Sequence, residues 1–431
     1  MSSLIEFLSL QDPNIRYVVL GVILLTATSA LVGCFSFLNK KALIGDAISH
    51  AVLPGICLAF ILTGTRNPFY LVIGAFATGW LSTYIVDLIT RRSRIKEDTA
   101  IGLVLSVFFG IGIFMLTVIQ KSGNATQSGL DHFLFGQAAS MVGQDLMVFS
   151  TVAIILVVLV VLLFKEFTLI AFDKNFAQAI GLPVQLIQTI LTSLIVLAVV
   201  IGIQAVGVVL MAAILITPAA AARFWTHNIR TMIVLASVFG AISGVSGAYI
   251  SYVAPAMPTG PWIVIVISFI AFVSFFLAPN RGVISRMLRQ RTFRRTINEE
   301  NILKAFYQLG EESREFRTQR LPEEIQTRRS MEPARLHKIL KRLKRQGYVS
   351  NAGNTWELTE EGLAKAQRVV RVHRLWELYL TTKLHIAPDH VHDDADTIEH
   401  FLTPELEAEL ERVLNYPRVD PHKSEIPYDR M

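Results

Sequence analysis

The 431-residue chain is 52% hydrophobic, 17% charged and carries a formal net charge of +6. Its charges are unevenly spread: residues 1–280 hold 13 basic and 10 acidic residues, and residues 281–431 hold 27 and 24. This contrast excludes a uniformly soluble globule and argues for a membrane domain followed by a water-soluble one. The two cysteines, Cys34 and Cys57, both lie in apolar runs and point to neither a disulfide framework nor a thiolate metal site.

The N-terminus, MSSLIEFLSLQDPN, lacks a basic region and a small-residue cleavage site, so it does not read as a signal peptide. Nine apolar runs, each near the length of about 20 residues that a bilayer requires, follow at 17–37, 46–63, 69–90, 99–119, 146–165, 185–203, 206–222, 229–253 and 261–279. GIQAVG barely separates the sixth from the seventh. Ten basic residues follow the odd-numbered spans, whereas Arg16, Arg66 and Lys121 fall on the other side. By the positive-inside rule the N-terminus is outside and the C-terminal region is in the cytosol.

RGVISRMLRQRTFRRT, 281–296, reads as a basic linker helix able to meet anionic headgroups. Three helices follow, in INEENILKAFYQLGE, LPEEIQTRRS and MEPARLHKILKRLKRQG, then a hairpin in YVSNAGNTWELT. Together they predict a winged helix-turn-helix over 297–360. A longer helix, EEGLAKAQRVVRVHRLWELYLTTKL, and helices in VHDDADTIEHFL and PELEAELERVL make 361–431 an all-helical region. The fold class expected is mainly α: a polytopic membrane bundle, then these soluble parts.

Within the second span, GDAISHAVLPG puts Asp46 and His50 four residues apart, on one helix face. Ionisable residues at bilayer depth normally face a protein-lined or wet pathway. A carboxylate and an imidazole suit Mn2+, Fe2+ or Zn2+ better than soft Cu(I). The alternative is an Asp that caps the helix and a His hydrogen-bonded in the bundle. Pro54 and Gly55 would loosen the helix just beyond. No HExxH, GxSxG or GxxxxGK[ST] motif occurs, so no hydrolytic or ATPase centre is expected.

GDAISHAVLPG, FDKNFAQAIGLPV (172–184) and VGVVLMAAILITPAAAARF (206–224) resemble the permease subunits of bacterial ABC importers for manganese, zinc and iron, over residues 15–280. That resemblance implies a homodimeric pore in the bacterial inner membrane, an extracellular metal-binding protein and a cytosolic ATPase. It makes Asp46 and His50 carriers of the metal. It makes Asp173, Phe176, Ala177 and Gly181 part of an ATPase-docking helix, where the bland reading is a polar loop.

The tail resembles metal-dependent repressors of the diphtheria-toxin-repressor class over 297–427, on the winged helix, RVVRVHRLWELYL, VHDDADTIEHFLTPELEAELERVL and DPHKSEIP. The resemblance stops before any SH3-like third domain. It places His373, Glu377, His392, Asp396, Glu399 and His400 on metal-ligand positions; spacing alone also fits a solvated charged face. Asp396 mildly favours a harder metal. The first tail helix departs from the family pattern: Asn301 is a weak ligand, and the Lys304 ammonium has no lone pair to offer. Arg335, His337, Lys338, Lys341 and Arg342 of the third tail helix would meet DNA, although lipid or the ATPase are alternatives. Two functions stay open: a metal-importer permease whose tail senses metal, and a membrane-anchored regulator that does not conduct.

Overall fold

In the computed structural model, the described residues are 2–428 except 42, 66, 122–135, 137, 139–140, 255–256, 280 and 387–401. The chain divides into two compact units, Met1–Arg286 and Met287–Met431.

The first unit opens with a short helix not anticipated from the sequence, α1 (Ser2–Ser9). The first span, α2 (Pro13–Leu38), starts where the Asp12 carboxylate accepts the Asn14 N–H at 2.8 Å, with proline in the first turn. The second expected span is two helices, α3 (Ile44–Ala51) and α4 (Leu53–Thr63), parted at Val52. Pro54 supplies the cause: it has no N–H to donate to the carbonyl of His50, its partner four residues back in an unbroken helix.

The next spans are α5 (Pro68–Arg92), α6 (Glu97–Lys121) and α7 (Gly143–Leu162), and two short helices follow, α8 (Phe164–Phe172) and α9 (Lys174–Ala179). Spans α10 (Val184–Val206) and α11 (Val208–Trp225) are joined by Gly207 alone, at φ 90° and ψ 163°. Residues with a side chain rarely adopt that conformation. The last two spans are α12 (Ile229–Val253) and α13 (Thr259–Leu277). Among the described residues, nine segments are long and apolar enough to cross a membrane, with Ile44–Thr63 taken as one. This is the number expected.

Helix α2 sits at the centre, packed against α7, α10, α11 and α12. Missing side chains set the closest approaches, as membrane helices require when they pack through small residues. A Cβ on Gly33 would fall 1.8 Å from the Leu215 carbonyl oxygen of α11, and one on Gly55 would fall 2.1 Å from the Gly74 carbonyl oxygen of α5.

The expected linker helix and first tail helix are one uninterrupted element, α14 (Val283–Ser313). Between Val283 and Leu309 no glycine or proline occurs, so the change in charge density has no power to break the helix. Helices α15 (Pro322–Arg328) and α16 (Pro333–Arg345) follow, then β1 (Val349–Ala352) and β2 (Thr355–Leu358), an antiparallel hairpin pairing Val349 with Leu358 and Ala352 with Thr355. Arg320 bridges to Trp356 and widens the wing. Ile302, Leu303, Phe306, Leu336, Leu340, Leu343 and Trp356 form one buried core. Helix α17 (Glu360–Lys383) is capped by Thr359, and α18 (Pro404–Val413) by Thr403.

Candidate functional site

Helix α3 begins with Leu43 at its cap position and no side-chain capping bond. Asp46 therefore does not cap the helix, and its carboxylate is available for other work. His50 Nε2 lies 3.5 Å from Asp46 Oδ1, with the two side chains 19% and 42% exposed. The ring meets Phe109 of α6 edge-on at 4.8 Å. His50 Nδ1 is buried and has no hydrogen-bond partner among the described residues.

Leaving a buried ring nitrogen unpaired costs about 1–3 kcal/mol. A Lewis-acidic cation offered to that lone pair would recover it. The Asp46 carboxylate faces the ring's other nitrogen, Nε2, and Pro54 relieves the His50 carbonyl of its helical donor. These are hard-to-borderline donors, the set that manganese, zinc and iron accept. No spacing or motif marks Phe109, which lies in a uniformly apolar span among similar neighbours.

The second predicted site is shaped as a knob. Asp173 caps α9, its carboxylate accepting the Phe176 N–H at 2.9 Å. The helix closes in a Schellman motif, with the Gly181 N–H donating to Gln178 O at 3.0 Å and the Leu182 N–H to Ala177 O at 3.1 Å. Gly181 takes the required left-handed conformation, φ 86°. Ala177 is fully buried and anchors the turn, while Phe172, Phe176 and Ile180, four residues apart, are exposed. A short, doubly capped helix with exposed apolar side chains at and beside it replaces the polar loop of the bland reading.

In the tail, His373 and Glu377 on α17 are 3.1 Å apart and 4% and 2% exposed at their side chains. Asn301 and Lys304 of α14 are also buried, each 6% exposed. His392, Asp396, Glu399 and His400 lie outside the described residues. The His373 and Glu377 pair fits a divalent metal as an N/O donor set, whereas Lys304, lacking a lone pair, does not.

A buried charge network orders the same region. Arg374 grips Glu311 of α14 with two parallel bonds of 2.8 and 2.7 Å and approaches Asp420 at 3.5 Å. Arg371 and Arg368 of α17 bind Glu407 of α18 at 2.8 and 2.9 Å. Burial, followed by the nearby Glu311 carboxylate, pushes the Tyr307 phenol up to about 12.

The predicted DNA-contacting residues lie on α16. Arg335, His337, Lys338 and Lys341 are exposed and Arg342 is half-buried. Two of them are engaged within the unit: Arg335 donates to Asn298 Oδ1 at 3.0 Å and Arg342 to Glu299 Oε1 at 3.1 Å, both on α14. The His337 ring meets Trp356 at 6.1 Å. Arg295 and Asn298 of α14 wall a cleft of about 240 Å3 with Arg335, Lys338 and Arg342. Asn298 and Glu299 fall in the first tail helix that the sequence predicts, but which of its side chains α16 meets is set by packing that spacing does not reveal.

Residues 11–278 match the ABC 3 transport family, and residues 359–428 match the iron dependent repressor, metal binding and dimerisation domain. The manganese transport system membrane protein MntC of Bacillus subtilis is 41% identical over 382 residues, 88% of this chain and 87% of that protein. The zinc transport system membrane protein TroC of Treponema pallidum is 44% identical over 280 residues, 65% of this chain and 94% of that protein. Among solved structures, PsaBC from Streptococcus pneumoniae in complex with Fab is 34% identical with a TM-score of 0.59, covering 67% of this chain and 99% of that one. A polytopic bundle with a His/Asp pair beside a broken helix, and a match spanning most of its length, place this chain in the ABC 3 transport family, as a multi-pass membrane protein with an iron-dependent-repressor type C-terminal region.

Proposed function

We propose that the chain is the permease subunit of an ABC importer for a divalent transition metal, manganese, zinc or iron. Asp46 and His50 hand the ion through the bundle. The observation that carries this reading is a His50 ring whose Nε2 faces the Asp46 carboxylate at 3.5 Å and whose buried Nδ1 has no hydrogen-bond partner among the described residues. A protein that merely anchored a regulator in the membrane would need neither group, so the non-conducting alternative is not favoured.

Energy comes from a cytosolic ATPase that seats the exposed face of α9, and cargo from an extracellular metal-binding protein. The permease is a homodimer in the inner membrane, N-terminus outside and tail in the cytosol. The alternation of basic loops supports that orientation. The domains are the permease at 1–280, a linker at 281–296, the winged unit at 297–360 and the metal-binding and dimerisation region at 361–431.

The tail senses cytosolic metal through His373, Glu377 and the ligand candidates between 392 and 400, and its output is on transport. The engagement of Arg335 and Arg342 with α14 occupies two of the five residues that would meet DNA, which supports this reading over gene regulation. Calorimetry of the tail with Mn2+ or Fe2+ should lose its heat on changing Glu399 or His400; no heat in the unaltered tail removes the sensing role.

Reconstituting permease, ATPase and binding protein in vesicles tests the main reading. Asp46→Ala and His50→Ala should each lower metal accumulation at least about 100-fold, the upper end of what losing an outer-shell partner costs, with ATPase assembly intact. Uptake at the unaltered rate in either variant refutes the pathway.

A further inference from the structure

The ends of α2 and α5 and the starts of α3 and α10 enclose a cavity of about 400 Å3 that neither Asp46 nor His50 lines. Lys41, Arg91 and Arg92 line it, against one carboxylate, Asp87. Lys41 Nζ stands 3.6 Å from Asp87 and 3.7 Å from Glu97, and Arg91 stands 3.7 Å from Asp87. Arg92 has no ionic partner among the described residues. Even with Glu97 counted, three cations face two carboxylates. Such a field repels a divalent cation, so neither the cargo nor its exit accounts for this cavity.

The lining is amphipathic. From Arg92 back to Trp80 is about 18 Å along α5 at the helical rise. Toward that end the Trp80 and Tyr84 rings stack at 5.8 Å, with 6° between their planes. Leu191 and Ile195 of α10 add apolar surface. A free phosphate would use only the cationic groups, and an alkyl chain only the apolar ones. A molecule that carries both, within a volume ordinary for ligand pockets of about 300–1,000 Å3, uses the whole cavity.

We propose that this cavity binds an anionic phospholipid, its phosphate among Lys41, Arg91 and Arg92 and its glycerol and upper acyl carbons along Trp80, Leu191 and Ile195. Basic pockets between membrane helices on the cytoplasmic side hold such headgroups in other proteins. The inference rests on the orientation proposed above, which puts these helix ends in the cytoplasmic leaflet.

The test places the full chain in nanodiscs of phosphatidylcholine with or without phosphatidylglycerol and reads bound lipid by native mass spectrometry. Phosphatidylglycerol should be retained where phosphatidylcholine exchanges. Arg91→Gln combined with Arg92→Gln should weaken retention about 30-fold, since each cation near an anionic surface is worth about a factor of five. Arg94→Gln, a neighbouring charge outside the lining, should leave retention unchanged. Asp87→Asn, which removes the opposing carboxylate, should tighten it; loosening would reduce these residues to structural ion pairs and overturn the proposal.

Equal retention of both lipids also overturns it, and complete displacement by inorganic phosphate reassigns the cavity to a free anion. Metal uptake measured in parallel separates this claim from the last. Uptake without lipid preference refutes only the lipid site, and lipid preference without uptake refutes only the transport reading.

Discussion

The membrane unit and the tail both carry a His and an acid four residues apart, Asp46 with His50 and His373 with Glu377. Their surroundings differ. Asp46 and His50 stand out because a span tolerates few ionisable groups, each costing several kcal/mol. His373 and Glu377 stand among 51 charged residues in 151, where a carboxylate beside a cation is commonplace. A polar pair is informative in proportion to what its environment charges for it.

This contrast can be broken or sharpened in order of expected effect. Arg374→Ala should be most costly, because it leaves Asp420 buried and Glu311 half-buried without their cation; losing one partner of a buried pair costs about 3–5 kcal/mol. Chemical denaturation of the tail unit checks it, and a loss within error of zero would make the network ornamental. Gly33→Ala tests the other kind of adhesion in the membrane unit. The added methyl would meet the Leu215 carbonyl, and overpacking costs about 1–3 kcal/mol. A lowered thermal midpoint in detergent is expected, with the tail's own transition unmoved.

Asp173→Ala removes the cap of α9 and should cost about 1 kcal/mol locally. Its main readout is ATP hydrolysed per metal ion moved, which should rise if the knob couples the subunits. The smallest effect is alkaline. Tyr307, pushed up to about 12 by burial and then by Glu311, keeps its proton in the folded tail when the unfolded chain has lost it. Its contribution is complete below about pH 10 and is lost as pH rises toward 12. Tyrosinate absorbance of Tyr307→Phe against the unaltered chain measures it.

Most of the membrane unit was legible because apolar length is a direct physical requirement of the bilayer. The break after α3 was legible too, since Pro54 removes a named hydrogen bond. The single-residue joint at Gly207 was not, because GIQAVG reads as a short loop of unknown shape and only φ reveals it. In the tail the hairpin and the third tail helix followed from turn residues and amphipathic spacing. The fusion of linker and first helix escaped because a change in composition does not end a helix where no breaker stands. The contacts of Arg335 and Arg342 escaped for a different reason: which side chains of the first tail helix lie alongside is decided by packing, not by spacing.

Gly207 leaves α10 and α11 with no slack. The start of α10 follows the turn that closes α9, and Leu215 of α11 lies against the glycines at 33 and 45, the second of them adjacent to Asp46. With no flexible connector to absorb it, a push along α10 would pass directly into α11, and lengthening that joint by a few residues would uncouple the two helices.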